Sequence, residues 1–326
     1  MAAIRRERGE GMVRNHRMSW LLYLSVSSAA IAAAPTDAEL LAYIKGRSTL
    51  QRITPTRVDM AAQVISRCNI DAVLLKPGEI PVENPHLKAK FHTYANAPAV
   101  LPVFDPWGRF PEGSLLVKEK FSETGETQLF TGMWKREQGY FPETGDWEFF
   151  TVDATAGRIA ERGRLPKCAA CHEEMVKGDH VSRDYIIPAQ ITDGRIILHS
   201  SGATTHGEKL RYEEPEKKNT LGFWVDPADW AEWEFNVTRP GTFDIHLWQG
   251  CGPGSGGSEV SITTAGQTAG FVVEETGHFQ NFKERVVGRV RFEKTGPQKL
   301  ELRALKKPGA AVMDVRLIVL TPVKQE

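Results

Sequence analysis

Two cysteines and a histidine form the segment with the clearest chemistry, Cys168-Ala-Ala-Cys171-His172. A Cys-x-x-Cys-His segment is the attachment signature of c-type haem. Two thiols three residues apart reach the two vinyl groups on one porphyrin edge, and the adjacent imidazole binds the iron. The segment therefore predicts one covalently attached haem c per chain. Cys168 and Cys171 are its attachment points, and His172 is its metal ligand.

A Cys-x-x-Cys pair has two other common uses, in zinc sites and in redox enzymes. A zinc site needs further ligands, and the sequence holds no second Cys-x-x-Cys pair and no histidine pair at ligand spacing. A thioredoxin-like site requires a βαβ unit around the pair, which the flanking pattern does not predict. Haem attachment is therefore the preferred interpretation.

The ligand on the far side of the iron separates electron carriers from cytochromes that bind small molecules. A carrier needs a second strong ligand, usually a methionine or a histidine. Met175 and His180 lie too close to His172 in the sequence to reach around the porphyrin. The pattern favours five-coordinate iron, open to a small gaseous or nitrogenous ligand such as NO. The other candidates for a sixth ligand, each with packing or a surface role as its alternative, are Met133, His86 and His92.

The elements that position this segment are predicted mainly as strands. Residues 114–121 alternate, so Leu116, Lys118 and Lys120 share one face of a strand and other apolar residues share the opposite face. Further strands are predicted at 129–136 and 147–152, and a short helix around the cysteine pair.

Beyond residue 187 the sequence consists of short apolar strands separated by Gly and Pro turns. This pattern is typical of a β-sandwich or jelly roll. Alternation in two of the strands predicts an inward face and directs Trp248 to the opposite face; the inward residues are Trp233, Phe235, Val237, Phe243, Ile245 and Leu247. The fold class is mainly β with minor α: a β-sheet-rich monohaem cytochrome domain followed by a C-terminal β-sandwich. The eight predicted strands are 220–224, 232–237, 242–248, 259–264, 270–274, 286–292, 298–304 and 312–320.

Composition excludes several other classes of protein. A length of 326 residues suggests two domains. Lys+Arg 41 balance Asp+Glu 41, which argues against nucleic acid as a partner. With 41% hydrophobic residues the chain is not a disordered protein, and four cysteines are too few for a disulfide scaffold.

The N-terminus predicts export. An apolar stretch at 20–34 follows Arg14 and Arg17 and contains the small-x-small run Ala30-Ile-Ala32. It is shorter than the ~20 residues plus flanks of a membrane span. We expect a signal peptide at 1–32, with an uncleaved anchor as the alternative, and a periplasmic or secreted bacterial protein. Residues 33–83 are predicted as a helical extension, with helices at 36–46 and 55–68.

Several segments between residues 84 and 190 occur in a characteristic order around the haem motif. They are Asn84-Pro-His-Leu, Tyr94-Ala-Asn, Phe110-Pro-Glu-Gly-Ser-Leu-Leu-Val-Lys-Glu-Lys120, Met133-Trp-Lys-Arg-Glu-Gln-Gly-Tyr140, Gly145-Asp-Trp-Glu-Phe149 and Arg183-Asp-Tyr185. This ordered set resembles the cytochrome P-460 family. The resemblance implies a β-dominated monohaem domain, a homodimer, and His172 as proximal ligand. It also implies hydroxylamine oxidation with a redox partner protein, or NO and CO binding as in cytochromes c′-β.

The oxidising members of that family carry a lysine joined covalently to the porphyrin edge. The resemblance implies Lys118 as this catalytic residue, with Lys120 as the second choice. The alternative is that both are solvated lysines of a strand. A distal acidic residue is also expected, but neither Glu119 nor Glu148 matches a motif position well enough to be assigned.

The second half carries its own resemblance. Segments 222–235, 239–243, 276–279 and 311–317 are similar to those of carbohydrate-binding-module-like sandwiches of the galactose-binding type, over residues 202–322. This implies a glycan partner, held by an aromatic platform and polar side chains. The candidate ligand-binding residues are Trp224, Trp248 and His278, with core packing as the alternative for the tryptophans.

Three functions follow from the sequence. The first is an exported monohaem cytochrome with an open iron site, which binds NO or oxidises a small nitrogen compound. The second is a six-coordinate electron carrier, and the third is a glycan-binding module with an accessory haem domain. Cys68 and Cys251 remain outside the motif, either as a disulfide or as two separate thiols.

Overall fold

The computed structural model describes residues 34–47, 49–59, 90–183, 185–214 and 217–324. These ranges belong to one compact unit, Ala32–Glu326. The predicted signal peptide, Cys68 and His86 lie outside the described residues. Within them, no helix is long and apolar enough to cross a membrane.

The helices are short. Helix α1 begins with a capping box, in which the Thr36 hydroxyl accepts from the Glu39 backbone N–H and the Glu39 carboxylate accepts from the Thr36 backbone N–H. This confirms the helix expected at 36–46. The helix expected at 55–68 is wrong at its start, because Val58–Asp59 pairs as a strand with Phe91 and Lys90. The α-helices are α1 (Asp37–Gly46), α2 (Ala97–Phe104) and α3 (Pro166–His172), and 3-10 turns cover Pro142–Thr144, Glu173–Gly178 and Ser200–Gly202.

Strands dominate the described residues, as the mainly β fold class predicts. They are β1 (Gln51–Arg52), β2 (Val58–Asp59), β3 (Lys90–Ala95), β4 (Leu115–Phe121), β5 (Thr127–Lys135), β6 (Trp147–Asp153), β7 (Ile159–Gly163), β8 (Ile196–His199), β9 (Thr204–His206), β10 (Arg211–Glu213), β11 (Thr220–Gly222), β12 (Trp230–Val237), β13 (Gly241–Cys251), β14 (Glu259–Thr264), β15 (Gln267–Val272), β16 (His278–Phe292), β17 (Gly296–Lys306) and β18 (Asp314–Pro322).

The first sheet is an antiparallel arrangement in the order β1-β3-β4-β5-β6-β7, with β2 also paired to β3. One face packs against α1, where Leu40 and Ile44 bury themselves against a cluster that includes Val117 and Phe150. Arg162 on β7 binds Asp37 at 2.7 Å, which fixes the start of α1 to the sheet. The opposite face carries Lys118 and faces the haem motif.

The remaining strands form a sandwich of two antiparallel sheets. One has the order β10-β11-β18-β13-β16 with β8 added to β18, and the other has the order β15-β14-β17-β12-β9. Alternating residues of β12 and β13 point into the core between them, as expected. Because β8 precedes residue 202, the sandwich starts earlier than the predicted boundary.

One apolar cluster joins the two halves of the chain. It combines Phe104 and Phe149 of the first sheet region with Ile197 and Leu317 on the outer face of the sandwich. Cys168 of the haem motif packs against the same cluster. The described residues of the two predicted domains therefore share one buried apolar cluster.

Candidate haem site

The haem motif occupies a single short helix. Helix α3 begins with Pro166 at its first position, where the missing backbone N–H costs no hydrogen bond, and ends at His172. Cys168 and Cys171 are free thiols, both half-buried and one turn apart. Residues three apart share a helix face, so both sulfurs are available on the same side.

His172 and His180 bind each other's backbone. The Nδ1 of His172 lies 2.6 Å from the His180 carbonyl oxygen, and the Nδ1 of His180 lies 2.9 Å from the His172 carbonyl oxygen. A carbonyl only accepts, so each Nδ1 carries the proton and donates. The His172 ring also contacts the Phe149 ring, with centroids 5.0 Å apart. Its Nε2 is left with a free lone pair, which is the tautomer that an axial ligand requires.

Electrostatics keep this imidazole neutral. Burial lowers the pKa of His172 to about 4, against the opposing hydrogen bond to His180, and the charge of Lys118 lowers it further. Burial also raises the pKa of Cys168 to about 11. A redox-active Cys-x-x-Cys needs a lowered thiol pKa, so Cys168 does not fit that chemistry. Among the described residues, no three His, Cys, Asp or Glu side chains are grouped so that they could hold a metal ion.

Lys118 lies on the sheet face toward the motif. It pairs with Thr93 on β3 and Thr131 on β5, which places it on the same face as Leu116 and Lys120, as the alternation of β4 predicts. Its ammonium lies 4.8 Å from the Phe91 ring centroid and 4.6 Å from that of Tyr185. Lys118 is half-buried in this aromatic setting, and its charge is felt at His172.

Lys120 shares the face of Lys118 and is fully buried. Its charge lowers the pKa of Cys168, in opposition to the burial that raises it. The alternative in which both lysines are solvated is therefore wrong for Lys120, because the sheet and the motif region exclude water from it.

The histidine candidates for a sixth ligand that lie among the described residues are engaged elsewhere. His180 donates to the His172 backbone. His92 lies on the opposite face of the sheet, opposite Glu119, and its Nδ1 is 3.1 Å from the Thr54 hydroxyl. Met133 differs from these histidines, because it lies on the motif-facing side of the sheet, paired with Phe149, and is buried in the apolar cluster against which Cys168 packs.

The two acidic residues without an assignment also lie away from the motif. Glu119 accepts hydrogen bonds from Tyr94 at 2.8 Å and from Thr127 at 2.9 Å, on the face that packs against α1. Glu148 is held by Arg136 at 3.3 Å and Arg162 at 3.1 Å. Both carboxylates stabilise the sheet.

The two sandwich tryptophans singled out by the sequence are not exposed platforms. Trp224 is 1% exposed in the sandwich core and donates to the Asp229 carbonyl at 2.9 Å, so it offers no ring face to a ligand. Trp248 points away from that core, as expected, but packs against the cluster that joins the two halves. His278 is exposed, and its Nδ1 accepts from the Gln280 backbone N–H. Trp224 therefore has the core-packing role given as its alternative, whereas Trp248 is half-buried and its role in ligand binding stays a prediction.

Sequence reasoning missed the partner of the His172 ring. The acceptor is the His180 backbone carbonyl, and no pattern of side chains reveals a backbone acceptor. The short run Gly178-Asp-His180 was the one available signal, because such residues favour tight turns.

Comparison with known proteins concerns the sandwich. Residues 208–324 match the family described as Domain of unknown function (DUF5077). No curated protein matches the chain. Among solved structures, it is similar to a family 35 carbohydrate binding module from Clostridium thermocellum, with 15% identity, a TM-score of 0.33, and coverage of 40% of this chain and 99% of that one.

Two further solved structures are similar over a comparable share of the chain. The C-terminal CBM6 of LamC from Zobellia galactanivorans is 16% identical, with a TM-score of 0.33 and coverage of 39% of this chain and 99% of that one. The CBM35 of Abf62 from Cellvibrio japonicus is 10% identical, with a TM-score of 0.33, and covers 40% and 95%.

Proposed function

We propose that this chain is an exported monohaem c-type cytochrome that binds a small molecule such as NO, or oxidises a small nitrogen compound such as hydroxylamine. The observation that carries the proposal is the tautomer of His172, whose imidazole donates from Nδ1 and leaves the lone pair of Nε2 for a metal. This histidine directly follows Cys171, and Cys168 and Cys171 are both free thiols. Cys168 and Cys171 would hold the haem by thioethers, and His172 would bind its iron. When bound, the group supplies reversible ligand binding and one-electron transfer to a redox partner protein.

The hydrogen bonds of two histidines support an open iron site. The ring nitrogens Nδ1 of His180 and His92 are both engaged with other groups, so Met133 is the candidate for a sixth ligand on the motif-facing side of the sheet. Small ligands bind where no side chain competes for the far coordination position. The six-coordinate electron carrier remains the alternative function, and it is separated from the first by the experiment below.

Lys118 is the residue that we propose for the reaction itself. Its amine lies 4.8 Å from the Phe91 ring centroid and 4.6 Å from that of Tyr185, on the sheet face toward the motif. The family resemblance implies that a lysine in this place is joined covalently to the porphyrin edge. Without that link, its ammonium places a positive charge beside the site.

Spectroscopy of the full chain, expressed with export and haem attachment, tests the proposal. We expect one haem per chain by pyridine haemochromogen assay, and high-spin ferrous iron that takes up CO and NO. The matched variant Cys168→Ala/Cys171→Ala removes covalent haem. A low-spin ferrous spectrum that does not change with CO would establish the carrier, and a chain without haem would refute both functions. A red-shifted Soret band that Lys118→Arg abolishes would identify the lysine link.

Glycan binding by the sandwich is a second function, and one exposed aromatic residue favours it. Phe223 is 44% exposed, and the Arg211 guanidinium lies 4.2 Å from its ring centroid. An aromatic face beside a hydrogen-bond donor suits the apolar face and hydroxyls of a sugar. A glycan array probed with the full chain and with Phe223→Ala tests this. Binding that the variant retains would exclude Phe223 as the contact, and an array without signal would exclude the function.

A further inference from the structure

The chain turns back on itself directly after the haem motif. Asp179 and His180 both adopt left-handed backbone conformations, with φ of 53° and 63°. Two consecutive residues other than glycine in this region are uncommon, and such geometry persists only where the surroundings impose it. The turn brings the His180 carbonyl to 2.6 Å from His172 Nδ1.

A buried ion pair imposes this turn. The Lys135 ammonium donates to both carboxylate oxygens of Asp179 at 2.8 Å, and the two side chains are only 12% and 3% exposed. The Asp179 carboxylate also accepts from the Phe110 backbone N–H at 2.8 Å, and the Asp179 carbonyl accepts from Trp147 Nε1 at 2.8 Å. Four hydrogen bonds from three residues, on β5, on β6 and in the loop before β4, thus fix Asp179.

The other side of the turn is closed by Gly145. A Cβ at Gly145 would lie 2.6 Å from Cδ2 of His180, so only glycine leaves room for this imidazole. The Gly145 carbonyl accepts from the same Lys135 ammonium at 2.6 Å. Lys135 therefore joins Gly145, which lies against the His180 ring, to Asp179, which precedes His180 in the chain.

We propose that Asp179 and Lys135 are positioning residues that clamp His172, through the His180 carbonyl, in the orientation and tautomer needed to bind haem iron. The inference rests on the proposed role of His172 as that ligand. A hydrogen bond from Nδ1 raises the basicity of the ligating nitrogen, which stabilises the ferric state and lowers the reduction potential. The clamp consists of protein contacts alone, so it exists before haem is attached.

Nuclear magnetic resonance of the full chain without haem tests the clamp itself. The Nδ1 proton of His172 should exchange slowly with water in the wild type. Asp179→Asn removes the charge and one acceptor oxygen, and Gly145→Ala displaces His180 sterically. Each should speed this exchange by about ten-fold or more, since loss of one buried hydrogen bond has that magnitude. The matched control is Asp193→Asn, which also removes an ion pair, with Arg195, and an accepted backbone N–H.

The holo-protein gives a second readout. Asp179→Asn should raise the reduction potential and lower the Fe–His stretching frequency in the Raman spectrum, while Asp193→Asn changes neither. Unchanged proton exchange in both clamp variants, with folding verified by circular dichroism, would overturn the inference. If the wild type attaches no haem, the proposed function fails, and the exchange experiment still decides whether the clamp exists.

Discussion

A buried carboxyl in the sandwich makes a quantitative prediction about pH. Asp314 is 3% exposed, and burial is the main cause that raises its pKa to about 7, helped by the neighbouring charge of Glu213. Lys218, Arg316 and the hydrogen bond from Gln280 at 2.8 Å oppose the rise without cancelling it. An acid with a raised pKa holds its proton more tightly in the folded chain than in the unfolded one.

The sign and the size of the effect follow from that pKa. The contribution to stability is greatest below the unfolded pKa of 3.8 and is lost as the pH rises to the folded pKa of about 7, because the unfolded chain is ionised in this range while the folded chain still holds the proton. At about 1.4 kcal/mol per unit, the loss between about pH 4 and about pH 8 reaches about 4 kcal/mol. Asp314→Asn removes the titrating group. The carboxyl groups of Asp314 and Glu213 both lie next to Gly222, so the new amide can donate a hydrogen bond to Glu213.

Urea unfolding across this pH range, in buffer with EDTA to remove divalent cations, measures the effect. The difference in unfolding free energy between Asp314→Asn and the wild type should grow with pH in favour of the variant. Other titrating groups cancel in this difference. The control is Asp244→Asn on the outer side of β13, where the carboxylate pairs with Arg289. A difference that stays constant from acid to neutral pH would refute the reasoning.

Three further substitutions test the packing around the candidate site. Lys135→Met leaves the Asp179 carboxylate buried without its ion pair, and we expect a loss of about 3–5 kcal/mol in urea unfolding. Gly132→Ala should cost about 1–3 kcal/mol, because its Cβ would lie 2.2 Å from Cζ of Phe150; an unchanged thermal midpoint would contradict this. Trp248→Ala should cost about 2–3 kcal/mol, less than a fully buried tryptophan.

These stability measurements have a common reference. Lys306→Met breaks an exposed pair with Glu259 and should leave the urea midpoint unchanged, since exposed pairs contribute little to stability. A similar midpoint for Lys135→Met would show that the Asp179 pair is not needed for folding.

Most strands and their buried faces could be predicted from the sequence, because the alternation of apolar and polar residues is a local property. The face shared by Leu116, Lys118 and Lys120 is confirmed by the register of β4. The inward residues of β12 and β13 are confirmed for the same reason. Alternation also placed Trp248 on the outer face of its sheet, but nothing in a strand pattern tells whether another part of the chain covers that face.

The candidate site was predictable only where its chemistry is contiguous in the sequence. Cys168, Cys171 and His172 lie within five consecutive residues, so their spacing in the sequence reveals the haem motif. The clamp of Asp179 and Lys135 joins residues 44 positions apart, and its key donor and acceptor groups include backbone atoms. The helix expected from residue 55 failed at Val58–Asp59, where pairing with β3 overrides the helical spacing of apolar residues.

Strand β8 has a consequence for any attempt to excise the sandwich. Residues 196–199 pair with 317–320 of β18 and lie upstream of the matched region 208–324. In a fragment that starts at residue 208, the backbone N–H and C=O groups of 317–320 that pair with β8 would lose their hydrogen-bond partners. Such an edge is a template for intermolecular strand addition, so the isolated piece should self-associate, whereas one beginning ahead of Ile196 retains its own cover.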